Sequence, residues 1–330
     1  MKAAVRDTFG LPSAVVEVRE IEEPVPADDE VLVQVRAASV NVADWYDVTG
    51  RPWVARIAQG LRRPKETRLG VDYAGVVKAV GKDVREFRPG DEVFGGRTGA
   101  FAEHVVAKAA RGIVPKPSNV TFEEAAAVPV AALTALQGLR DKGKVEPGQR
   151  VLINGASGAV GTLAVRVAKA LGADVTAVCS TRNVEQARSL GADQVVDYTQ
   201  EDFTRSGERY DLMLDVAGSR SWSACKRVLA PQGTLVIVGG PRKNRLLGPL
   251  GGVIKKRLGG MVGSRNVVFY VAKFNKPDME FLRELLEAGK ITPAIDRRYE
   301  LGEIADALGY IGEGHARAKI VVTVRGPDDR

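Results

Sequence analysis

The sequence predicts an α/β protein in which a doubly wound parallel sheet is joined to a separate β-rich domain. Two patterns carry the prediction. From Arg150 onward, short apolar strands alternate with helices of 3.6-residue period. Before about residue 121, the chain is instead a series of short strands divided by glycine turns. At 330 residues it is long enough for two domains, each with its own core.

The β-rich part begins with "EVLVQVRAASV", where Val31, Val33 and Val35 alternate with Leu32, Gln34 and Arg36, the period of a half-buried strand. "GVDYAGVVKAVG" and "GDEVFGG" are further strands, and "RPGD" is a turn between them. The pattern then changes. In "KPSNVTFEEAAAVPVAALTALQGL", Ser118, Asn119 or Thr121 caps a helix whose first turn holds Glu123 and Glu124.

The strand "RVLING" starts the alternating part. "GTLAVRVAKALGA" puts Leu163, Ala164, Val167, Ala168 and Leu171 on one helical face, and Gly172 ends it. "DVTAVCS", "QVVDY", "YDLMLDVAG", "GTLVIVGG" and "NVVFYVAKF" read as strands, with helices "NVEQARSLGA" and "SWSACKRVLA" among them. A last segment, Ile291 to Val324, returns to short strands plus the helix "GEIADALGYIGE" and is expected to pack on the first domain. The domain limits are therefore 1–121 with 291–330, and 122–290. The tail "GPDDR" reads as disordered.

Composition narrows the function. Hydrophobic residues are 45% and charged residues 27%, as in a soluble globular protein. No run of about 18 apolar residues occurs, which argues against a membrane span. The stretch "MKAAVRDTFG" lacks the apolar centre of a signal peptide, so a cytoplasmic location is expected. The only cysteines, Cys179 and Cys225, form no paired-thiol motif and read as core; His104 and His315 lack ligand-spaced partners. The net charge of +7 is concentrated in residues 51–68, with six basic residues and one acid, and 241–260, with six basic residues and none. These are solvated loops or attract an anion. No nucleic-acid-binding motif accompanies them, so nucleic acid is a minor option.

The strongest local signal is "VLINGASGAVG". An apolar strand runs into Gly155, Ala156, Ser157, Gly158, Ala159, Val160 and Gly161, and a helix follows. Gly158 and Gly161 match the second and third glycines of a dinucleotide fingerprint, while Ala156 stands in place of the first. Gly158 lets the backbone approach a pyrophosphate, Gly161 lets helix pack on strand, and the helix N-terminus offers N–H groups to phosphate. After the next strand an NAD site places an acid for the ribose hydroxyl. Here the residues are Ser180, Thr181 and Arg182, which suit a 2′-phosphate, so NADPH is the expected cofactor. Alternatively Ser180 and Thr181 cap the next helix. Tyr198 lies beside the adenine end or packs as an ordinary aromatic.

Together "RPGDEVFG", "AAAVPVAALTALQGL", "VLINGASGAVG" and "LGADQVVDYTQEDF" resemble the medium-chain dehydrogenase/reductase superfamily, most closely its zinc-independent quinone oxidoreductase branch. The resemblance covers nearly the whole chain. It implies a Rossmann domain plus a GroES-like catalytic domain. In the zinc enzymes of that superfamily, the loop matching "AASVNVADWYDVTG" supplies a cysteine ligand, a relay hydroxyl and an aspartate. These fall on Asn41, Ala43 and Asp44. The histidine and glutamate of a second motif fall on Val71 and Asp72. Asparagine and valine cannot replace thiolate and imidazole, and the four-cysteine lobe of those enzymes is missing between Val93 and Val105, so neither a catalytic nor a structural zinc is expected.

The same resemblance makes Asn41 a polar orienting group and Tyr46 a hydrogen-bond donor or proton source. Asn41 capping the loop and Tyr46 lining a pocket are the structural alternatives. Asp44 is expected to brace the loop. Thr134 resembles the threonine near the nicotinamide carboxamide, and Val238, Gly239, Gly240, Phe269, Tyr270 and Val271 are expected to flank the nicotinamide. The implied function is NADPH-dependent hydride transfer to a quinone or an α,β-unsaturated carbonyl. The alternatives are enoyl reduction on an anionic acyl carrier, motivated by the basic segments, and a cofactor-binding sensor or RNA-binding protein with little turnover. A homodimer is expected, because the apolar edge strand "NVVFYV" would otherwise leave backbone groups unpaired.

Overall fold

A computed structural model describes residues 1–240, 250–260 and 264–325. The chain divides into two compact units, 1–133 with 273–330, and 134–272. These limits differ from the 121 and 291 read from the sequence. Helix Phe122–Ala126 packs on strands of the first unit, and so does helix Lys276–Glu287. Residues 241–249 of the second basic segment and the tail 326–330 lie outside the described residues.

The first unit starts with strands β1 (Lys2–Val5) and β2 (Glu17–Glu20), which form an antiparallel ribbon. β3 (Glu30–Val40), β4 (Asp72–Val80), β5 (Glu92–Gly96), β6 (His104–Lys108) and β7 (Ile113–Pro115) follow. In the second unit come β8 (Arg150–Asn154), β9 (Asp174–Cys179), β10 (Gln194–Asp197), β11 (Tyr210–Asp215), β12 (Leu229–Ile237) and β13 (Asn266–Phe269). The chain then returns to the first unit with β14 (Ile295–Glu300) and β15 (Lys319–Thr323).

The sheet of the first unit has the order β14-β15-β3-β4-β5-β7, with β6 also paired to β3. β3 is its centre. Val31, Val33 and Val35 face the core as the alternation predicts, but Leu32 is buried too, as are residues 37 to 40. The reason is that β3 is flanked by β4, β6 and β15, and helix Phe122–Ala126 packs against it. That helix is capped by Thr121: its hydroxyl accepts from the Glu124 N–H, and its own N–H donates to the Glu124 carboxylate.

The sheet of the second unit is wholly parallel, in the order β10-β9-β8-β11-β12-β13. β8 and β11, adjacent in the sheet but separated in the chain by β9 and β10, mark the point where the order reverses, the switch point at which doubly wound sheets bind ligands. Helix Ala159–Ala170 buries Leu163, Ala164, Val167 and Ala168 as its period predicts, whereas Leu171, expected on the same face, is the half-buried C-cap residue. The edge strand β13 pairs only with β12 in the described sheet. Among the described residues, no helix is long and apolar enough to cross a membrane.

Candidate active site

In the first unit the site grows from strand register. β15 and β3 are antiparallel with Ile320 opposite Val40, so Lys319 stands opposite Asn41, the first residue after β3. β3 and β4 are antiparallel with Ser39 opposite Asp72. Three neighbouring strands thus bring Lys319, Ser39, Asn41 and Asp72 together. The Lys319 ammonium donates to Asn41 Oδ1 (2.7 Å) and to Asp72 Oδ2 (3.1 Å). Asp72 Oδ2 also accepts from Asn41 Nδ2 (2.9 Å) and the Ser39 hydroxyl (3.0 Å), and Asp72 Oδ1 accepts from the Val130 N–H (3.0 Å) at the start of helix Pro129–Leu136. Both Lys319 and Asp72 are fully buried. A buried carboxylate survives when it is paired and hydrogen-bonded, and Asp72 has both kinds of partner.

Asn41 also opens helix Val42–Thr49. Its backbone N–H donates to Asp44 Oδ2 (2.7 Å), and its carbonyl accepts from the Asp44 N–H. Asp44 therefore braces the helix start. Burial pushes its carboxyl up to about 7, and the nearby Asp72 charge adds to the rise while Lys319 and the Asn41 N–H oppose it. At the other end of the helix, the buried Arg6 guanidinium pairs with Asp47 (2.9 Å) and bonds its carbonyl. Tyr46 lies on the helix between these anchors, half-buried, with its ring edge-on to Trp45 at 5.3 Å between centroids. Trp45 packs on the first unit's core, whereas Trp53 is exposed.

In the second unit the residues expected to hold the cofactor lie just beyond the carboxyl ends of the parallel strands. The turn 155–161 follows β8, Ser180 to Arg182 follow β9, Tyr198 follows β10, Val238 to Gly240 follow β12, and Tyr270 and Val271 follow β13. Gly155 takes φ +93°, a left-handed conformation suited to glycine. A Cβ on Gly161 would meet the Gly155 carbonyl oxygen at 2.1 Å and Ala156 Cα at 2.7 Å, which is the close helix-to-strand approach expected of it. At Gly158 the nearest atom to such a Cβ is 3.9 Å away, so space remains over the turn. Ala156 is buried and its N–H donates to the Val178 carbonyl, so that N–H serves the sheet.

Three other placements add to the sequence reading. The Thr181 hydroxyl donates to the Asp197 carboxylate (2.6 Å), an acid from β10 that was not anticipated beside Ser180 and Arg182. Thr181, Arg182 and Tyr198 are exposed, and Ser180 accepts from the Asn183 amide. Tyr270 bonds the Thr134 carbonyl through its hydroxyl, while Val271 is 74% exposed. Lys256, counted in the second basic surface segment, is instead buried, its ammonium on Asp215 at the end of β11.

The comparisons with known proteins agree with this architecture. The zinc-binding dehydrogenase family model matches residues 190–322, and the alcohol dehydrogenase GroES-like domain model matches residues 27–118. A chloroplastic quinone-oxidoreductase QR1 of Triphysaria versicolor is 32% identical over 98% of both chains. The mitochondrial NAD(P)H oxidoreductase RTN4IP1 of Mus musculus is 36% identical over 90% of this chain and 82% of its own. The solved quinone oxidoreductase of Coxiella burnetii is 30% identical, with a TM-score of 0.85 over 98% of this chain and 99% of its own. The chain belongs to the medium-chain dehydrogenase/reductase superfamily, in its quinone oxidoreductase-like branch.

As a member of that superfamily it is an oxidoreductase, with a GroES-like β-rich domain and a doubly wound nucleotide-type sheet. Where the superfamily's zinc enzymes place a cysteine, this chain places Asn41, already bonded to an ammonium. Where they place a histidine, it has Val71. Among the described residues, no group of three or more His, Cys, Asp or Glu side chains is arranged to hold a metal ion. Cys179 and Cys225 are buried, and burial raises both thiols, to about 11 and about 12.

Proposed function

We propose that the protein is an NADPH-dependent reductase that works without zinc and transfers hydride to a quinone or an α,β-unsaturated carbonyl compound. The observation that carries this reading is the Lys319–Asn41–Asp72 network. The carbonyl and amide of Asn41 are engaged by an ammonium and a carboxylate, so a divalent cation there would face a like charge within hydrogen-bond distance of its ligand. Charge developing on a substrate oxygen then has to be met by hydrogen-bond donors. Asn41 keeps a second amide N–H for this role, and the Tyr46 hydroxyl is the second donor and a proton source, with solvent as the other.

The cofactor fits the second unit. Ser157, Ala159 and Val160, at the turn and the first turn of helix Ala159–Ala170, offer N–H groups to a pyrophosphate, while the Gly158 N–H bonds the Gly155 carbonyl. Arg182, exposed just after β9, would serve a 2′-phosphate, and Asp197, bonded to the adjacent Thr181, would limit the preference for it. When bound there, the reduced nicotinamide supplies the hydride. A homodimer paired through β13 is part of this proposal.

The test is NADPH oxidation by the purified protein with a panel of quinones and enones. Turnover with members of the panel is expected. Oxidation no faster than background with every one of them contradicts the reading. A second reading, enoyl reduction on an acyl carrier, is favoured by the exposed Arg62, Arg63 and Lys65 beside the exposed Trp53, Ile57 and Leu61. Charge reversal at Arg62, Arg63 and Lys255 would then raise KM for a carrier-bound substrate and leave KM for a free enone unchanged.

A further inference from the structure

We infer that Lys319 is a positioning residue of the active site, which fixes the orientation of the Asn41 amide so that one of its N–H groups is kept for the substrate oxygen. The inference rests on the reductase reading above, in which Asn41 is that donor. The two ends of an asparagine amide have nearly the same shape, so packing alone does not choose between them. Their hydrogen-bond partners do. An ammonium has three donors and no acceptor, and an ionised carboxylate has acceptors only.

Lys319 at 2.7 Å from Oδ1 and Asp72 at 2.9 Å from Nδ2 therefore hold the amide in one orientation. A half-turn about the Cβ–Cγ bond would set the NH2 group against the ammonium and the oxygen against the carboxylate. The lock is itself held, because Lys319 and Asp72 are paired at 3.1 Å and both are fully buried. It consumes one N–H of Asn41. The other has no acceptor among the described contacts, and Asn41 lies at the start of the helix that carries Tyr46. Lys319 does not need to touch substrate to act in this way. Without it, Asn41 Oδ1 loses its donor and Asp72 loses its counter-charge, so both N–H groups of the amide become free to turn toward the carboxylate.

The experiment compares the wild type with Lys319→Met, Lys319→Arg and the double variant Lys319→Met/Asp72→Asn. Removing an oxyanion donor outright costs about 10²–10³ in kcat. Loss of its alignment is expected to cost roughly ten- to a hundredfold in kcat for Lys319→Met. The dissociation constant for NADPH should stay within about twofold, and Lys319→Arg should recover part of the loss. The double variant leaves no buried charge unpaired, so its thermal stability should return toward wild type while kcat stays low.

Recovery of kcat together with stability in the double variant would show a purely structural lysine and overturn the inference, as would unchanged kcat in a folded Lys319→Met. A readout independent of turnover is the side-chain amide signal of Asn41 in nitrogen-15 spectra, assigned with Asn41→Asp. Two exchange-protected protons, shifted from the positions of a solvated asparagine amide, are expected in the wild type; in the double variant the pair should move toward those positions and exchange faster with solvent. Identical signals in both would overturn the inference even if no quinone or enone proved to be a substrate, whereas absent turnover with the expected spectra would count only against the reductase reading.

Discussion

Lys256 and Asp215 form a buried ion pair at the carboxyl end of the parallel sheet, with 2.5 Å between Nζ and Oδ2. Asp215 also accepts from the Asn154 amide (2.7 Å) and the Gly218 N–H (2.9 Å), so one carboxylate ties the helix Leu250–Gly260 to the ends of β8 and β11. Breaking such a pair from one side costs about 3–5 kcal/mol, while removing both charges costs much less. Lys256→Met should therefore lower the unfolding free energy by roughly that amount, and Lys256→Met/Asp215→Asn should restore most of it. Urea unfolding of the three proteins checks this.

Asp44 makes stability depend on pH with a definite sign. Its folded carboxyl titrates near 7, above the range of an unfolded aspartate near 4, so between those values the folded state holds the extra proton. Stability from this group is present at low pH and is lost as pH rises through 7. Asp72, Lys319 and Asp47 are the charged groups that act on it. Asp44→Asn keeps an acceptor for the Asn41 N–H and removes the titration. The variant should gain on the wild type by about 2 kcal/mol between pH 5 and pH 8, read from unfolding curves. A gap that does not change with pH would contradict this.

The two glycines of the turn should respond differently to the same substitution. Gly161→Ala sets a methyl against backbone atoms that cannot move aside, and overpacking of this kind costs about 1–3 kcal/mol. Gly158→Ala finds space, so stability should change by less than about 0.5 kcal/mol. Its methyl then occupies the place proposed for the pyrophosphate. Dinucleotide affinity should fall at least about tenfold in Gly158→Ala, measured by calorimetry beside thermal unfolding.

Arg182 and Asp197 together should set the preference between the two dinucleotides. Arg182→Glu should lower kcat/KM for NADPH about tenfold and leave NADH nearly unchanged, since only the former carries the 2′-phosphate. Asp197→Asn removes the carboxylate bonded to Thr181 and should shift the ratio of the two in the opposite direction. Steady-state rates with both cofactors, quinone held constant, decide it.

Much of the fold could be read from local pattern. The strand–helix alternation after Arg150, the glycine turn and the Thr121 cap each have a short-range signature, because period and capping depend on neighbours within a few residues. Asn41 could be found because its loop, at the end of a long apolar strand, resembles the one that carries an asparagine in the quinone oxidoreductase branch. Lys319 could not: it is a single lysine before an ordinary strand, and its meaning comes from a partner 278 residues away, set by the register of β15 on β3. Asp197 and Lys256 were hidden for the same reason. In sequence they are a strand-end acid and a member of a basic run. Only β9–β10 pairing and the docking of helix Leu250–Gly260 bring them to Thr181 and Asp215.

Metal-free hydride transfer from the reduced dinucleotide can be followed by isotope label. The most direct measurement incubates chelator-treated protein with an enone and NADPH carrying deuterium at both hydrogens of nicotinamide C4, then determines the mass of the reduced product. Turnover without added metal is expected, with one deuterium in the product carbon skeleton. A product without the label, or turnover that returns only when stoichiometric zinc is added back, would contradict it.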